Sequence, residues 1–514
     1  MNRRLALLLL GLVLPLAWTL GRPADFDEVN FLTLARGAVA DPWRPHAVLI
    51  NWQGVTQPAF EVLSNPPGIA WWLAPVVHAP VWVQRLWMLP WLLPAAWGAR
   101  RLGQRFLGGA ESGAFFLLTA PIVMLSATAL LPDLPLFALT LAGMGGFLDA
   151  VEADRNVVGW AAVLGSAALF RYSGVALWPL VLLWPFLQRR RIAPALAVVV
   201  PIGLLALHDL SAYGSVHLLA MGKFQSVSNT PADWGHKAVA AVTMLGGAAA
   251  LPVYRWRGPH LAAAAVGAAA AAPWGLVAAG FGALGGAAFA PVVLAFATVE
   301  APAVGAGAAR RPTPAAVPMT PARPTPERVF LGAWALLGFA FLLTLRFTAA
   351  RYWLPFLPPV LLLLPTPWPR LRLAAGFVLG ALLVTDDALH ARGDAALAAR
   401  VAETGTGRFT GHWGWQGALE AAGWTALDEG QAPAPGELVA IPTQAWPQRV
   451  DVRCDHVRWE GHAWPPFPWL PRGYSAEAGA NLHADWIAGP PPVRTVIPWW
   501  FARDAYESAR VCEE

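Results

Sequence analysis

Charge is the scarcest ingredient of this 514-residue chain. Charged residues make up 13% of it and hydrophobic residues 56%, against a usual charged share of about 25% in soluble proteins. So few charges cannot cover a soluble surface. Lysine is nearly missing: Lys223 and Lys237 are the two present, and the other basic residues are arginine. Cysteine is limited to Cys454 and Cys512. No Walker loop, zinc-type Cys/His spacing or Gly-x-Ser-x-Gly elbow occurs. That excludes the phosphate-cradling, zinc-finger and nucleophile-elbow classes those patterns mark. A basic stripe interleaved with aromatics is also missing, which argues against nucleic acid as a partner.

What is there is long apolar runs. Mean hydropathy is +0.47, and 28 residues are tryptophan. Runs near 5–20, 83–99, 112–130, 134–150, 157–170, 173–187, 192–210, 237–254, 260–278, 283–300, 329–346, 352–367 and 371–387 make thirteen candidate spans. Each approaches the length needed to cross about 30 Å of hydrocarbon. The run 66–80 starts at Asn65-Pro66-Pro67 and is short, so it reads as a helix lying at the interface. The first run follows Arg3-Arg4 and lacks a clean small-x-small cleavage site, so it reads as an uncleaved span.

Charge supplies the sidedness. From Arg392 onward there are 10 arginines and 15 acids, net −5, while the first 391 residues carry 26 basic and 16 acidic residues, net +10. With thirteen spans and the N-terminus inside, Arg100, Arg101 and Arg105, then Arg155, Arg189 to Arg191, Arg255 and Arg257 fall on one side. Arg310, Arg311, Arg323, Arg328, Arg370 and Arg372 follow on the same side, as the positive-inside rule requires. The expected fold is an all-α polytopic membrane protein of about 13 transmembrane helices, with a small extracytoplasmic α/β domain at its C-terminus. Residues 1–390 form the membrane domain. It includes a long outer loop over 21–82 and a Pro/Ala/Arg-rich cytoplasmic linker over 301–328. Residues 391–514 form the outer domain, where a Cys454–Cys512 disulfide is permitted. There, 417–423 reads as a helix, and 437–441 and 493–497 as strands. The Gly/Ala runs at 245–250 and 262–272 read as close helix packing. The resulting location is a bacterial inner membrane.

The outer face then collects ionisable residues: Asp25, Asp27 and Glu28 in the first loop, Asp133 opening a span, Arg171-Tyr172 and Arg351-Tyr352 closing two others. Charges at a membrane edge are costly and mark function or pairing. Arginine forks suit a lipid phosphate. A phosphate leaving group departs as an anion and needs electrostatic stabilisation rather than a general acid, so one carboxylate base and two or three cations suffice. The bland reading stands beside this one. Asp27, Glu28 and Asp133 can serve as helix caps, and Arg171 and Arg351 as interface anchors. Asp25-x-Asp27, with Glu28 as a third ligand, also fits a divalent-metal site. His217 and Lys223 lie in the outer loop after the seventh span, open to phosphate or to solvent.

These residues carry a resemblance. The chain resembles the GT-C superfamily of polyprenyl-phosphate-dependent glycosyltransferases, in particular the protein O-mannosyltransferases and the lipid A aminoarabinose transferases. The family's early Asp-Glu pair matches Asp27-Glu28, its Pro-Pro interface helix Pro66-Pro67, and its acid at the fourth span Asp133. Its basic residue after the fifth span matches Arg171, and its late Arg-Tyr-x-x-Pro run matches Arg351, Tyr352 and Pro355. The stretch from Gly411 to Gln416 resembles one in bacterial members. The pattern covers about 1–390. It departs where the aminoarabinose transferases have lysine before Pro-Pro and this chain has Asn65, and where Arg171 replaces lysine.

The resemblance implies sugar transfer by single displacement at the outer membrane face, from a polyprenyl-phosphate donor to a lipid, glycan or protein acceptor. Asp27, supported by Glu28, is then the base and Asp133 orients acceptor or sugar. Arg171, Arg351, Tyr352 and Asn65 bind the donor phosphate. A lipid or solute transporter is the alternative, and a non-catalytic assembly or sensor protein a second. Transporters favour internal repeats and mid-membrane breaks, and no convincing repeat is present.

Overall fold

The computed structural model describes residues 16–52, 54–109, 117–227, 230–249, 256–296, 325–364, 369–445, 448, 452, 454–487 and 493–513. Most of the first expected span, most of the 301–328 linker and Arg255, Arg310, Arg311 and Arg323 lie outside them, as do parts of the runs 112–130, 237–254, 283–300 and 352–367.

Helices make the body of the molecule. Eight of them matter for the site: α1 (Glu28–Ala40), α2 (Gly68–Leu73), α3 (Leu92–Leu107), α4 (Asp133–Ala153), α5 (Leu276–Leu294), α6 (Pro326–Thr344), α7 (Pro369–Ala402) and α8 (Trp413–Ala421). Among the described residues, five helical segments are long and apolar enough to cross a membrane: Asp133–Ala153, Ala193–Tyr213, Leu276–Leu294, Pro326–Thr344 and Arg370–Ala402. Val157–Leu169 and Tyr172–Leu187 are shorter apolar helices. The thirteen runs read from hydropathy are therefore divided more unevenly than their lengths suggest. Proline accounts for some of the division. Pro90 sits in a 3-10 turn between Val81–Met88 and α3, and Pro355 in the 3-10 segment Ala350–Phe356. Residues 66–80 become the short α2 followed by a 3-10 turn at Ala74–Val76.

The central helix is α4. Its sequence is apolar all round and it is buried on nearly every face, as a helix without a polar stripe should be. Glycine lets α3 reach it: a Cβ on Gly98 would lie 2.2 Å from the Leu141 carbonyl carbon. The Gly/Ala runs act in the same way, since a Cβ on Gly267 would lie 2.1 Å from the carbonyl oxygen of Gly282 on α5.

The two ends of α4 differ in kind. At 1.5 Å per residue its 21 residues span about 31 Å, one hydrocarbon thickness. At its C-terminal end Arg101 pairs with Asp149 (3.0 Å), and Arg105 with Asp149 (2.9 Å) and Glu152. Arg190 donates to the Glu152 carbonyl there at 3.1 Å. Two of the arginine clusters that the charge pattern assigns to a common side thus meet at this end. Asp133 is at the other.

The C-terminal part is α/β. A five-stranded sheet contains β1 (Arg408–Phe409), β2 (Thr425–Ala426), β3 (Leu438–Pro442), β4 (His456–Ala463) and β5 (Glu507–Glu513), in the order β2-β1-β3-β5-β4. The β1 pairings with β2 and β3 are parallel, and the β5 pairings with β3 and β4 are antiparallel. The helix expected at 417–423 starts earlier, as α8, and the strand expected at 493–497 shrinks to Val493–Arg494. Cys454 and Cys512 form the disulfide.

α7 joins the two parts. Its 34 residues reach about 51 Å, well beyond the hydrocarbon thickness. The boundary expected at 390/391 therefore falls inside one continuous helix. Its second half packs into the C-terminal domain, where Arg400 donates to the His462 carbonyl at 2.9 Å.

Candidate active site

The loop 22–27 governs the site, and its central residue is strained. Phe26 has φ +45°, a left-handed conformation that non-glycine residues adopt at a cost. Surrounding contacts hold it there. Its N–H donates to Asp25 Oδ1 at 2.7 Å, and its ring stacks on His483 with centroids 4.0 Å apart. The turn sends the carboxylates of Asp25 and Asp27 to different partners. Asp25 faces His390 at 2.9 Å, while Asp27 faces Arg351. The metal site expected from Asp25 and Asp27, with Glu28 as third ligand, is therefore not assembled: each of the three carboxylates is committed elsewhere.

Asp27 occupies the N-cap position of α1 but makes no side-chain cap bond. Its carboxylate is a quarter exposed and accepts from Arg351 Nη2. Asp133 opens α4, follows a cap residue without a side-chain bond, and is 1% exposed. One of its oxygens accepts from Arg171; the other, Oδ2, is buried with no hydrogen-bond partner. Both acids thus stand at helix N-termini, and neither makes the side-chain hydrogen bond of a cap.

Arg171 and Arg351 each belong to an Arg-Tyr pair at the start of a 3-10 segment, Arg171 as the residue before it and Arg351 as its second residue. Their guanidinium carbons lie 4.5 and 5.7 Å from the centroid of the same ring, Tyr352. Asp27, Arg351, Tyr352, Arg171 and Asp133 thus form one chain of contacts, drawn from four separate stretches of sequence. Arg351 is 6% exposed, and its Nε and Nη1 have no hydrogen-bond partner. Burial alone would lower the Arg351 pKa. Asp27, Asp133 and Tyr352 outweigh that and raise it above the ordinary arginine value. A buried cation with two idle donors is suited to an incoming anion, and arginine's planar fork suits phosphate.

Glu28 behaves differently from its neighbour. It is 2% exposed and bound on every side. Arg22 donates to it at 2.8 Å, Arg85 donates to both oxygens at 2.9 Å, and the N–H groups of Leu130 and Asp25 each donate at 3.0 Å. Burial pushes this carboxyl up, and Arg22, Arg85 and the hydrogen bonds outweigh burial to hold it below the ordinary glutamate range. No lone pair is left facing a substrate. These bonds tie the start of α1, next to Asp27, to Arg22, Arg85 and Leu130.

Asn65 lies in a neighbouring cluster. Its carbonyl oxygen is 3.0 Å from His46 Nε2, and its side chain makes no hydrogen bond among the described residues. The following helix presses on the turn that carries Arg171: a Cβ on Gly68 would lie 2.3 Å from the Leu169 carbonyl oxygen. His217 is buried there rather than solvated, 2.8 Å from the Tyr172 hydroxyl. Burial holds its pKa down to about 4, and burial with the neighbouring His217 holds His46 at about 3. Both rings are therefore neutral near pH 7. Nothing is described of the Lys223 side chain.

Sequence reasoning missed Arg22, Arg85 and Phe26, together with Asp387, His390 and Asp394 on α7. The signal for Arg85 was present, a lone arginine inside the apolar stretch 81–94. Asp386-Asp387 likewise closes an apolar run that otherwise reads as an ordinary span. Asp387 lies 3.2 Å from Arg22 and 3.6 Å from His483, so it ties the loop to the C-terminal domain. The stretch Gly411 to Gln416 meets the loop as well, where Gly414 N–H donates to Asp25 at 3.2 Å.

Two crystal structures resemble this chain. One is ArnT from Cupriavidus metallidurans bound to undecaprenyl phosphate, with 17% identity, a TM-score of 0.43, and 84% of this chain and 85% of that one covered. The other is the same protein in the apo state, with 16% identity, a TM-score of 0.38, and coverage of 83% and 86%. No protein-family model and no curated protein matches the sequence. A likeness at that level carries no weight for the chemistry, which rests on the side chains described above.

Proposed function

We propose that this chain is an integral membrane glycosyltransferase, moving a sugar from a polyprenyl-phosphate donor to a lipid, glycan or protein acceptor at the outer membrane face. The observation that carries this reading is the contact chain Asp27–Arg351–Tyr352–Arg171–Asp133, with buried donor atoms left idle on Arg351. The donor phosphate takes the idle Arg351 donors and the face of Arg171. Its polyprenyl tail lies among the apolar helices.

Phosphate binding draws Arg351 away from Asp27, whose partly exposed carboxylate then meets the acceptor. The acceptor hydroxyl gives its proton to Asp27 as its oxygen bonds to the anomeric carbon. The carbon–oxygen bond to phosphate breaks, and its electron pair leaves on the phosphate. The two arginines stabilise that charge. Asp133 holds Arg171 with one oxygen and keeps the other for a sugar or acceptor hydroxyl. The transporter reading receives no comparable support, because the ionisable cluster lies at one end of α4 rather than at its middle.

The test is sugar release from radiolabelled polyprenyl-phosphate donors by the purified protein in lipid. Donor-dependent transfer that disappears in Asp27→Asn and Arg351→Ala supports the reading. Failure to cleave any of a panel of hexosyl and pentosyl donors would overturn it.

A further inference from the structure

Asp25, displaced from Asp27 by the turn at Phe26, belongs to a second group of side chains. Asp25 Oδ2 lies 2.9 Å from His390 Nδ1, and Asp394 Oδ2 lies 3.9 Å from the same nitrogen. One ligand atom from each of the three residues falls within 4.8 Å of the other two. All three are buried, at 1%, 3% and 0% exposure. His390 and Asp394 are one helical turn apart on α7 and so share a face.

We propose that Asp25, His390 and Asp394 bind one divalent cation of the zinc or manganese class, which clamps the catalytic loop to α7. Three features lead there. First, two buried carboxylates share one imidazole, an arrangement that is costly unless charge and hydrogen bonds balance it. Second, both oxygens of Asp394 are buried without a hydrogen bond. Third, the spacing fits. Ligand atoms about 2.0–2.1 Å from a tetrahedral ion stand about 3.3 Å apart, and the observed 2.9 and 3.9 Å bracket that value.

Asp25 is also oriented in advance. Its other oxygen accepts from Phe26 N–H at 2.7 Å and Gly414 N–H at 3.2 Å, leaving Oδ2 turned toward the imidazole. Such outer contacts fix a ligand's direction. One nitrogen and two carboxylate oxygens suit a borderline-to-hard ion, with water completing the shell. The ion stays out of the sugar chemistry, since Asp27 pairs with Arg351. Its role is to hold Asp25, and with it the strained Phe26. This site stands whether or not the chain transfers sugar.

The competing account is a proton shared among the three groups. The full-length protein in detergent, stripped with chelator, is titrated with zinc and separately with manganese. The expected result is about one equivalent bound per chain and a Tm rise on adding metal back. Asp394→Asn and His390→Gln each weaken binding by at least the ten- to hundredfold that outer-shell changes cost. Asp27→Asn leaves binding unchanged, which separates this site from an Asp25/Asp27 pair. If the α7 variants fail to fold, the wild-type Tm on chelation and repletion decides. A wild-type chain with no stoichiometric metal and no Tm response overturns the site, as does retention of metal by Asp394→Asn or its loss in Asp27→Asn.

Discussion

Asp27 and Glu28 are adjacent, acidic and part of one motif, yet they end in opposite environments. Glu28 accepts from two arginines and two backbone N–H groups and is sealed from solvent. Asp27 is partly exposed and holds one arginine, which itself keeps two donors idle. The comparison teaches that burial and charge do not separate architecture from chemistry. Unspent hydrogen-bonding capacity does. A fully satisfied buried ion pair resists change, because removing one partner leaves a bare charge. A half-satisfied one is ready to exchange partners with a substrate.

The sharpest way to break that comparison is to neutralise each acid in turn. Asp27→Asn is expected to lower transfer by about 10²–10⁴-fold, the usual weight of a general base, with Tm nearly unchanged. A variant that keeps more than about a tenth of the wild-type turnover removes Asp27 as the base.

Glu28→Gln is expected to show the reverse. It breaks a buried network, for which a loss of about 3–5 kcal/mol is typical, and activity falls in proportion to folded protein. The Glu28 pKa is lowered in the folded state, so the unfolded chain binds the proton more readily. Its stabilisation is present above the ordinary glutamate value and is lost as pH falls through the lowered folded one. Thermal unfolding from pH 7 down to 3 should accordingly show a smaller acid dependence in Glu28→Gln than in the wild type. Equal Tm values for the two proteins at pH 7 would show that the network does not carry the loop.

Arg351 lies between these extremes, paired on one side and idle on the other. A charge-assisted contact to phosphate is worth about 1.5–3 kcal/mol, so Arg351→Ala should weaken apparent donor affinity by about ten- to hundredfold. Lysine should recover part of that, because it restores the charge without the planar fork. Wild-type donor affinity in both variants would leave Arg351 as an interface anchor.

Much of this site was legible in the sequence because each element was a charge placed where apolar residues should be. Asp133 at the head of a span and Arg351-Tyr352 at the end of another violate the hydropathy pattern, and such violations mark function. The existence of a distinct C-terminal α/β part followed from the charge reversal near Arg392. Three things were not legible. The sharing of Tyr352 by two arginines depends on helix packing that no local signal encodes. The separation of Asp25 from Asp27 depends on one left-handed Phe26, held by a histidine more than four hundred residues away. The length of α7 was hidden because its second half is polar, so hydropathy ended the span while the helix continued.

Asn65 gives the finest version of the comparison, since it is a neutral residue on the segment that abuts the turn carrying Arg171. A charged contact there would match Arg351 in effect. A neutral amide offers one ordinary hydrogen bond, worth about 0.5–1.5 kcal/mol. Its carbonyl is engaged with His46 and its side chain is uncommitted, so the amide is free to reach a phosphate held by Arg171. The helix behind it already abuts the turn carrying that arginine. Asn65→Ala should therefore weaken apparent donor affinity by about two- to tenfold, leave the limiting rate near wild type, and leave Tm unchanged. Donor titrations of Asn65→Ala and Arg351→Ala in the same lipid would rank the two. An unchanged affinity in Asn65→Ala places Asn65 outside the phosphate site, with a role confined to the turn before α2. A loss as large as that of Arg351→Ala would show that the amide organises this edge of the site rather than adding one ordinary hydrogen bond, since the backbone contact to His46 survives the substitution.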